Sequence, residues 1–484
     1  MKKLLIPVLL IFALAGFAQS PVLKVDWSKE IVRSKSTPTL QLVVNPMIRP
    51  GAQMHDITFS SLRDLNADIV RFVPWFPYPK LVVAELEPPT ATTTSWDFSL
   101  IDPMVNDFMK STAGHTVMLN FSTIPQWMFK TDSPVKYPAD PNQVDFGYGG
   151  GTEFRDTTLK ELTDYYVRLI SWYTKGGFTD ELGKFHKSGY HYKFDYWEVL
   201  NEIDYEHSMT PQRYTKVYDA IVTALKPIMP GTKFTGLALA FDGPDYFEYF
   251  LNPSNHQPGV TIDMISYHFY SSANSKQAFD NYGFSYFDHC DAFLHGVKYA
   301  ESIRKRLAPN VKTDLDELGT FINNDHIEPI YYNLSAAVYA YLFIELSKMQ
   351  IDVIGESQLV GFPTQFPDVT MINYLNNKPN PRYWVLKMIL DNIKSGSSLT
   401  QTSVDANDGN FISAQSFVVN GQKKVLLLNK SDKDISVKLP ADLTGANVIT
   451  VDGTTGDDEP QKSTIAADSL VLKPFSVHLI VLNK

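Results

Sequence analysis

Short apolar runs alternate along most of the chain with segments whose apolar positions recur every three to four residues. The runs are typical of buried strands, and the segments are typical of amphipathic helices. The predicted strands are residues 40–44, 67–75, 116–121, 194–202, 234–239, 262–270, 311–317 and 351–355. The predicted helices are residues 55–66, 100–109, 159–173, 211–228, 291–307, 335–348 and 383–393. Eight strands interleaved with helices predict an α/β fold of the (β/α)8 TIM barrel type, with the active site at the carboxyl ends of the strands.

The pattern changes after the Ser395-Gly396-Ser397-Ser398 stretch. Two strands, 411–419 and 423–428, flank Asn420-Gly421, which is a strong hairpin signal. Further strands are predicted at residues 435–439, 448–452 and 470–482, the last interrupted by Pro474. We therefore expect a C-terminal all-β sandwich domain over residues 396–484, after a barrel over residues 38–395. The segment 19–37 contains a candidate additional strand at 22–27.

The N-terminus has the composition of a secretory signal peptide. Lys2 and Lys3 precede an apolar run at 4–15 and small residues that end at Ala18, so residues 1–18 are expected to be removed. The run is too short to span a bilayer, for which about 20 apolar residues are needed. No Cys lies near the cleavage site to carry a lipid, and Cys290 is the only Cys, so no intramolecular disulfide is expected. These features predict a secreted or periplasmic protein without a membrane span.

Charge and composition narrow the partners without defining the function. The formal net charge of -10 argues against nucleic acid or an anionic membrane as the partner. The aromatic content of 13% is common to sugar-binding clefts and to large cores. An Asp-rich turn at 452–458 has poor spacing for calcium and is read as a solvated turn.

The strand over residues 194–202 ends on an amide beside a carboxylate, Asn201-Glu202. Strand alternation places Glu198, Leu200 and Glu202 on one face and Asn201 on the other. The stretch from Trp197 to Glu202 resembles the W-E-x-x-N-E acid/base strand of the clan A retaining glycoside hydrolases, in the form used by families 39 and 51. The resemblance implies that Glu202 is the acid/base and that Asn201 donates to the sugar 2-hydroxyl.

A second carboxylate is expected at the end of the seventh strand, which contains Asp314, Asp316 and Glu317. Strand parity groups Val311, Thr313, Leu315 and Glu317 on one face, which we assign to the barrel interior. Asp314 and Asp316 are then outward or supporting groups. The resemblance to clan A places the nucleophile at the end of this strand, so Glu317 is the predicted nucleophile.

Four further residues are predicted to bind substrate or to support the carboxylates. By resemblance to the clan, Arg71 lies near the nucleophile; a purely structural pair with Glu198 is the alternative. The sixth strand resembles the strand whose His and Tyr line the site, which places His268 there, with Tyr270 donating to Glu317. Trp127 is a candidate platform for a sugar ring or a packing residue. The long loops at 74–96 and 124–156 are expected to form the walls of the cleft.

These features predict a retaining glycoside hydrolase acting on plant or microbial polysaccharide or oligosaccharide, either β-xylosidase-like or endo-acting. The resemblance is strongest to family 39 and spans residues 40–393 together with the terminal sandwich. Two departures leave the sugar open, because the third strand lacks the family's His and the eighth lacks its Trp. No cofactor or metal is expected, since the histidines form no HxH or HxxxH ligand spacing. A non-catalytic carbohydrate-binding protein on the same barrel is the alternative.

Overall fold

The computed structural model describes residues 20–148, 151–241, 243–272, 282–322, 329–361 and 369–483. The predicted signal peptide lies outside the described residues. The strands of the first four fifths of the chain are, in order, β1 (Val22–Arg33), β2 (Thr37–Val43), β3 (Ile69–Val73), β4 (Thr116–Leu119), β5 (Gly177–Thr179), β6 (Phe185–Lys187), β7 (Tyr196–Glu198), β8 (Lys233–Leu239), β9 (Met264–Ser272), β10 (Lys312–Phe321), β11 (Val353–Glu356), β12 (Ile372–Asn373) and β13 (Lys378–Pro379).

Eight of these strands form a closed parallel barrel, in the order β2-β3-β4-β7-β8-β9-β10-β11, so the predicted TIM barrel is confirmed. The helices are α1 (His55–Leu65), α2 (Pro79–Val82), α3 (Asp102–Ser111), α4 (Lys160–Thr174), α5 (Pro211–Leu225), α6 (Pro244–Phe250), α7 (Tyr282–Leu307), α8 (Pro329–Met349) and α9 (Pro381–Asn392). Helix α5 begins as the sequence predicts, because the Thr210 side chain accepts from the backbone N–H of Arg213 and Pro211 occupies the first turn. Within the described residues, no helix is long and apolar enough to cross a bilayer.

The amino-terminal end of the barrel is closed by an apolar layer, and its carboxyl-terminal end is polar. Five buried side chains from five strands pack together in that layer: Ile69, Met118, Tyr196, Met264 and Val353. Two residues further along the same strands, the inward positions become charged or polar, as at Arg71 and Glu198. Outward positions such as Trp197 pack instead against the surrounding layer, where Trp197 stacks on Phe121 and meets Tyr166 edge to face. The barrel interior is therefore apolar at its amino-terminal end and polar at its carboxyl-terminal end.

The C-terminal strands form one curled sheet with β1. They are β14 (Ser398–Asp405), β15 (Ile412–Val419), β16 (Gln422–Asn429), β17 (Ile435–Lys438), β18 (Asn447–Val451), β19 (Gln461–Thr464), β20 (Ser469–Leu472) and β21 (Val477–Val481). The strand order is β19-β18-β21-β16-β15-β14-β1-β17-β20. The β15–β16 hairpin turns at Asn420 and Gly421, both with positive φ, as the sequence predicts. Strands β14 and β19 were not predicted, because their polar residues give little apolar alternation.

The sheet packs on the barrel through alternate residues of its strands. On β16, Val425 and Leu427 belong to the core enclosed by the sheet, whereas Leu426 and Leu428 join the core of the barrel. Between the two layers, the Lys430 ammonium lies 4.5 Å from the ring centre of Tyr341 on α8. In the turn at 452–458, Asp452 accepts hydrogen bonds from Thr454, and Asp458 pairs with Lys378 at 3.3 Å. These carboxylates bond to their own surroundings, far along the chain from the polar end of the barrel.

Candidate active site

A cleft of about 800 Å³ opens at the carboxyl ends of the barrel strands. This is within the size range of small-molecule sites. Its described lining includes five of the residues predicted from the sequence, namely Asn201, Glu202, His268, Tyr270 and Glu317. Aromatic side chains form much of the rest: Trp75, Phe76, Phe146, Tyr205, Phe241, Phe269, Phe293 and Phe321. The cleft thus combines clustered carboxyl groups with apolar walls.

Arg71 lies at the centre of the polar interior and uses all of its nitrogens. Its Nε donates to Glu198 at 2.7 Å, Nη1 to Gln41 and Glu317, and Nη2 to Asn201 at 2.7 Å. Arg71 also pairs with Asp316 at 3.0 Å and is almost fully buried. One guanidinium therefore pairs with Glu198 and also contacts Glu317, the predicted nucleophile.

The strand β7 ends earlier than the sequence predicts, and this exposes two adjacent side chains to one site. β7 ends at Glu198, and Leu200 takes a positive φ of 65°. Asn120, at the end of β4, donates to the Leu200 carbonyl at 3.1 Å and so holds this turn. Because regular alternation stops here, Asn201 and Glu202 both line the cleft rather than facing opposite sides.

The predicted interior face of the seventh barrel strand, β10, is wrong. Thr313 points away from the barrel axis and donates to Glu301 on helix α7. Asp314 and Asp316 are the buried inward residues, and Asp316 contacts Arg71. The pairing of β10 with β9 shifts between Asp314 and Glu317, which is a β-bulge. The bulge turns Glu317 inward beside Asp316. Glu317 therefore reaches the cleft because of the bulge, and not because of the strand alternation used to predict it.

The buried acids of the barrel interior, Glu198, Asp314, Asp316 and Glu317, differ in the direction of their pKa shifts. Burial raises the pKa of Asp314 and Asp316 well above the ordinary value. Burial acts the same way on Glu198, but the Arg71 charge and hydrogen bonds from Asp316, Ser266 and Asn120 outweigh it and lower the pKa. Glu198 is thus the inner acid whose charged form Arg71 favours, through the contact of its Nε with Glu198 at 2.7 Å.

Glu317 is held as a carboxylate. Burial raises its pKa, but the charges of His268 and Arg71 and hydrogen bonds from Tyr270 and Arg71 outweigh burial and lower it. The Tyr270 hydroxyl lies 2.7 Å from Glu317 Oε2, and the Tyr270 ring stacks on Phe321 at 4.3 Å. An ionised, oriented carboxylate of this kind suits nucleophilic attack.

Glu202 has the opposite tendency. Burial raises its pKa above the ordinary value; the hydrogen bond and charge of His268 oppose this, while the charge of Glu317 adds to it. His268 Nδ1 lies 3.0 Å from Glu202 Oε1, and its Nε2 lies 3.6 Å from Glu317 Oε1. One ligand atom from each of these three residues lies within 4.8 Å of the others. The two carboxyl groups therefore face each other across the imidazole of His268.

His268 is a cation in this setting. Burial lowers its pKa, but the charges of Glu317 and Asp316 and the hydrogen bond to Glu202 outweigh it and raise the pKa to about 10. Arg71 and His268 together supply two positive charges, which balance ionised Glu198 and Glu317.

Trp127, Trp75 and Glu206 show how the observed cleft compares with the predicted one. Trp127 lies outside the lining: its Nε1 donates to the Glu85 carbonyl at 2.9 Å, and Arg155 covers its ring at 4.5 Å. It takes the packing role that was the alternative. Trp75, on the loop at 74–96 that was expected to form a wall of the cleft, does line it. Glu206 also lines the cleft, and no role for it was predicted. Its spacing of four residues after Glu202 in a polar turn was the available signal.

The eighth strand places polar groups where the clan usually has Trp. The Tyr270 hydroxyl lies 2.6 Å from Ser357 Oγ, which also accepts from Gln41 at 2.7 Å. The peptide bond between Ser357 and Gln358 is cis, and Gln358 lines the cleft. Buried Arg382 of α9 donates to Glu356 at 3.0 Å and to the Ser357 carbonyl, which fixes this strand end from behind.

No protein-family model and no curated protein matches this sequence. Solved structures match over nearly the whole chain. The α-L-arabinofuranosidase from Thermotoga maritima, in complex with arabinose, aligns with a TM-score of 0.63 and 16% identity over 96% of this chain and 100% of that chain.

A family 30 endoxylanase from Clostridium papyrosolvens aligns with a TM-score of 0.59 and 12% identity, over 96% of this chain and 100% of that chain. A conserved exported protein from Bacteroides fragilis aligns with a TM-score of 0.62 and 11% identity, over 95% of this chain and 100% of that chain. At these identities the likeness shows the fold, and family 39 is not confirmed by it. The chain therefore has the barrel-plus-sheet fold of solved clan A glycoside hydrolases.

Proposed function

We propose that this protein is an exported retaining glycoside hydrolase that cleaves O-glycosidic bonds in polysaccharide or oligosaccharide. The observation that carries the proposal is the pair Glu202 and Glu317, whose oxygens lie within 4.8 Å. Retaining glycosidases have carboxyl groups about 5 to 5.5 Å apart, whereas inverting enzymes need about 6.5 to 9.5 Å to admit a water molecule. The opposite pKa shifts of the pair match the two roles.

In the first step, ionised Glu317 attacks the anomeric carbon while Glu202 gives its proton to the leaving oxygen. A covalent glycosyl-enzyme forms and the leaving group departs as an alcohol. In the second step, Glu202 takes a proton from water, which displaces Glu317 from the anomeric carbon. Asn201 donates to the sugar 2-hydroxyl, and Arg71 and Tyr270 keep Glu317 ionised and oriented.

The resemblance of the acid/base strand favours a family 39-like enzyme with β-xylosidase-like or endo-acting specificity. Because the structural neighbours include a family 30 endoxylanase and a family 51 arabinofuranosidase, xylan- and arabinose-containing compounds are candidate substrates. The signal peptide predicted at residues 1–18 is the basis for proposing export.

The test is the stereochemistry of hydrolysis, followed by NMR on any aryl glycoside or oligosaccharide that the enzyme cleaves. We expect the first-formed sugar to keep the anomeric configuration of the substrate. An inverted product rules out the double displacement. Binding of the same sugars without any hydrolysis supports the non-catalytic alternative.

A metal-dependent hydrolase is a second candidate, since Glu202, His268 and Glu317 have ligand atoms close enough to share an ion. The contacts favour the first proposal, because the two oxygens of Glu317 already accept hydrogen bonds from Arg71 and Tyr270. Dialysis against EDTA is therefore expected to leave activity unchanged. Activity that is lost and then restored by one divalent ion supports the metal candidate.

A further inference from the structure

Glu206 is a carboxyl group of the cleft that the two-glutamate mechanism does not use. It lies one turn after Glu202, and its backbone N–H donates to the Glu202 carbonyl at 2.7 Å. One side-chain oxygen, Oε1, accepts from Trp75 Nε1 at 2.7 Å and from Asn201 Nδ2 at 2.9 Å. A single oxygen thus binds two residues that both line the cleft.

The amide of Asn201 is fixed at both ends by these contacts. Its Oδ1 accepts from Arg71 Nη2 at 2.7 Å, and one N–H of Nδ2 is directed to Glu206. A primary amide carries two N–H donors, so one remains for a ligand. Without Glu206, Nδ2 loses its only protein acceptor among the described residues, and rotation of the amide is restrained from the Arg71 side alone.

We propose that Glu206 is a positioning residue, which holds the Asn201 amide and the Trp75 indole as one wall of the subsite for the cleaved sugar. This inference rests on the proposed function, in which the second N–H of Asn201 binds the sugar 2-hydroxyl. Glu206 acts through Asn201, so its effect on the rate depends on the presence of that hydroxyl. Trp75 supplies the apolar face of the same wall.

The charge state of Glu206 fits this role. Burial, and then the charge of Glu202, raises the pKa of Glu206 well above its ordinary value. A neutral carboxyl group accepts from Asn201 and Trp75 without adding a second negative charge beside the acid/base residue. A Gln side chain has the same shape and keeps a carbonyl oxygen for both contacts, whereas an Ala side chain has no acceptor. The Glu206→Gln variant therefore keeps the positioning role, and the Glu206→Ala variant loses it.

The experiment compares kcat and KM for an aryl glycoside and its 2-deoxy analogue in wild type, Glu206→Gln, Glu206→Ala and Asn201→Ala. We expect Glu206→Ala to lower kcat/KM about 10- to 100-fold on the hydroxylated substrate, mainly through kcat, because the 2-hydroxyl contact strengthens in the transition state. On the 2-deoxy substrate the loss shrinks to about 3-fold or less. Glu206→Gln stays within about 5-fold of wild type on both substrates.

The double variant Glu206→Ala with Asn201→Ala adds little to Asn201→Ala alone, because both changes remove one interaction. The matched control is Glu85→Gln, which alters a buried carboxyl group whose pKa is raised to about 8 but which does not line the cleft. Its kinetics match wild type on both substrates. Circular dichroism of each variant checks that the barrel is folded.

Equal losses on both substrates in folded Glu206→Ala overturn the inference and leave the proposed function standing. Loss of turnover in Glu206→Gln on poor leaving groups, with Glu202→Gln active, also overturns it, since Glu206 is then the acid. A wild-type enzyme that cleaves no glycoside refutes the proposed function, and the inference falls with it.

Discussion

The turn after β7 and the middle of β10 each deliver one carboxyl group to the cleft, and both abandon regular alternation to do so. At β7 a positive φ at Leu200 places Asn201 and Glu202 in one site, and at β10 a bulge turns Glu317 inward. Their surroundings differ. Glu317 is bonded by Arg71 and Tyr270, which favour the charged form, whereas Glu202 lies among apolar walls with His268 as its hydrogen-bond partner.

The comparison shows how one barrel lowers the pKa of one carboxyl group and raises that of another a few ångströms away. Donors and cations bonded to Glu317 outweigh burial and lower its pKa, whereas at Glu202 burial outweighs the hydrogen bond and charge of His268 and raises the pKa. His268 lies between the two groups and couples their titrations, so each proton belongs partly to the pair. Variants that change the surroundings of only one of the two carboxyl groups therefore test how the difference between them arises.

The largest effect is expected from removing the Glu317 carboxyl group. Glu317→Ala should lower kcat/KM by about 10⁴-fold or more on every substrate, since no glycosyl-enzyme forms whatever the leaving group. Added azide should yield a glycosyl azide of inverted configuration, identified by NMR. Glu345→Ala on α8 is the control and should retain full activity. A glycosyl azide of retained configuration from Glu317→Ala would reverse the roles of the two glutamates.

Arg71→Met removes the cation that pairs with both Glu317 and Glu198. Leaving buried carboxylates unpaired is expected to lower the free energy of unfolding by about 3 to 5 kcal/mol and to abolish turnover. Arg304→Met is the matched control, because Arg304 is a buried partner of Glu301 on α7 that does not line the cleft. Denaturant unfolding and kcat together separate the two variants. A folded, fully active Arg71→Met enzyme contradicts the central role of Arg71.

Removing the Glu202 carboxyl group should lower activity by an amount that depends on the leaving group. Glu202→Ala is expected to lose about 10²- to 10⁴-fold on natural linkages, while glycosylation by an activated aryl glycoside is largely kept. Deglycosylation stays slow without the base, so azide should accelerate turnover and give a glycosyl azide of retained configuration. Rates measured over leaving groups of different pKa check this. A uniform loss across that series would argue that Glu202 does not transfer the proton.

Tyr270→Phe should shift the asymmetry without removing either carboxyl group. The hydroxyl stabilises ionised Glu317, so its loss raises the pKa of Glu317. Activity requires Glu317 ionised, and the acidic limb of the kcat/KM profile therefore moves to higher pH, while the alkaline limb, set by deprotonation of Glu202, moves less. The Phe ring keeps the stack on Phe321. An acidic limb that stays in place excludes control by this hydrogen bond.

The sequence was sufficient for the barrel, because the apolar runs that form its strands have the length and spacing of buried parallel strands. It was also sufficient for Glu202, Glu317 and Arg71 to be singled out, chiefly through resemblance. It failed for Thr313 and Asp316, because β10 buries both of its faces and carries a bulge that no periodicity reveals. Glu206 was not singled out, because its spacing from Glu202 does not reveal the long-range contact with Trp75 that gives it a role.

The smallest effect is expected at the rim of the cleft near Glu202. Two large aromatic residues, Tyr205 and Phe241, are 66% and 64% exposed there. Their rings meet edge to face at 6.2 Å, and Asp204 holds the loop by accepting from the backbone N–H groups of Ala240 and Phe241 at 2.9 and 3.1 Å. Tyr205 lies on the turn that follows Glu202, so this corner is on the side of the departing group.

A sugar leaving group stacked on this corner would gain about 0.5 to 1.5 kcal/mol, so Tyr205→Ala and Phe241→Ala should each raise KM about 2- to 10-fold for oligosaccharides. A glycosyl fluoride, whose leaving group is too small to reach the corner, should be cleaved as by wild type. Phe185→Ala, which removes a Phe that is 60% exposed on β6 and does not line the cleft, is the control for lost surface apolarity. Equal changes on fluoride and oligosaccharide would place the corner outside leaving-group binding and confine the asymmetry of the cleft to its carboxyl groups.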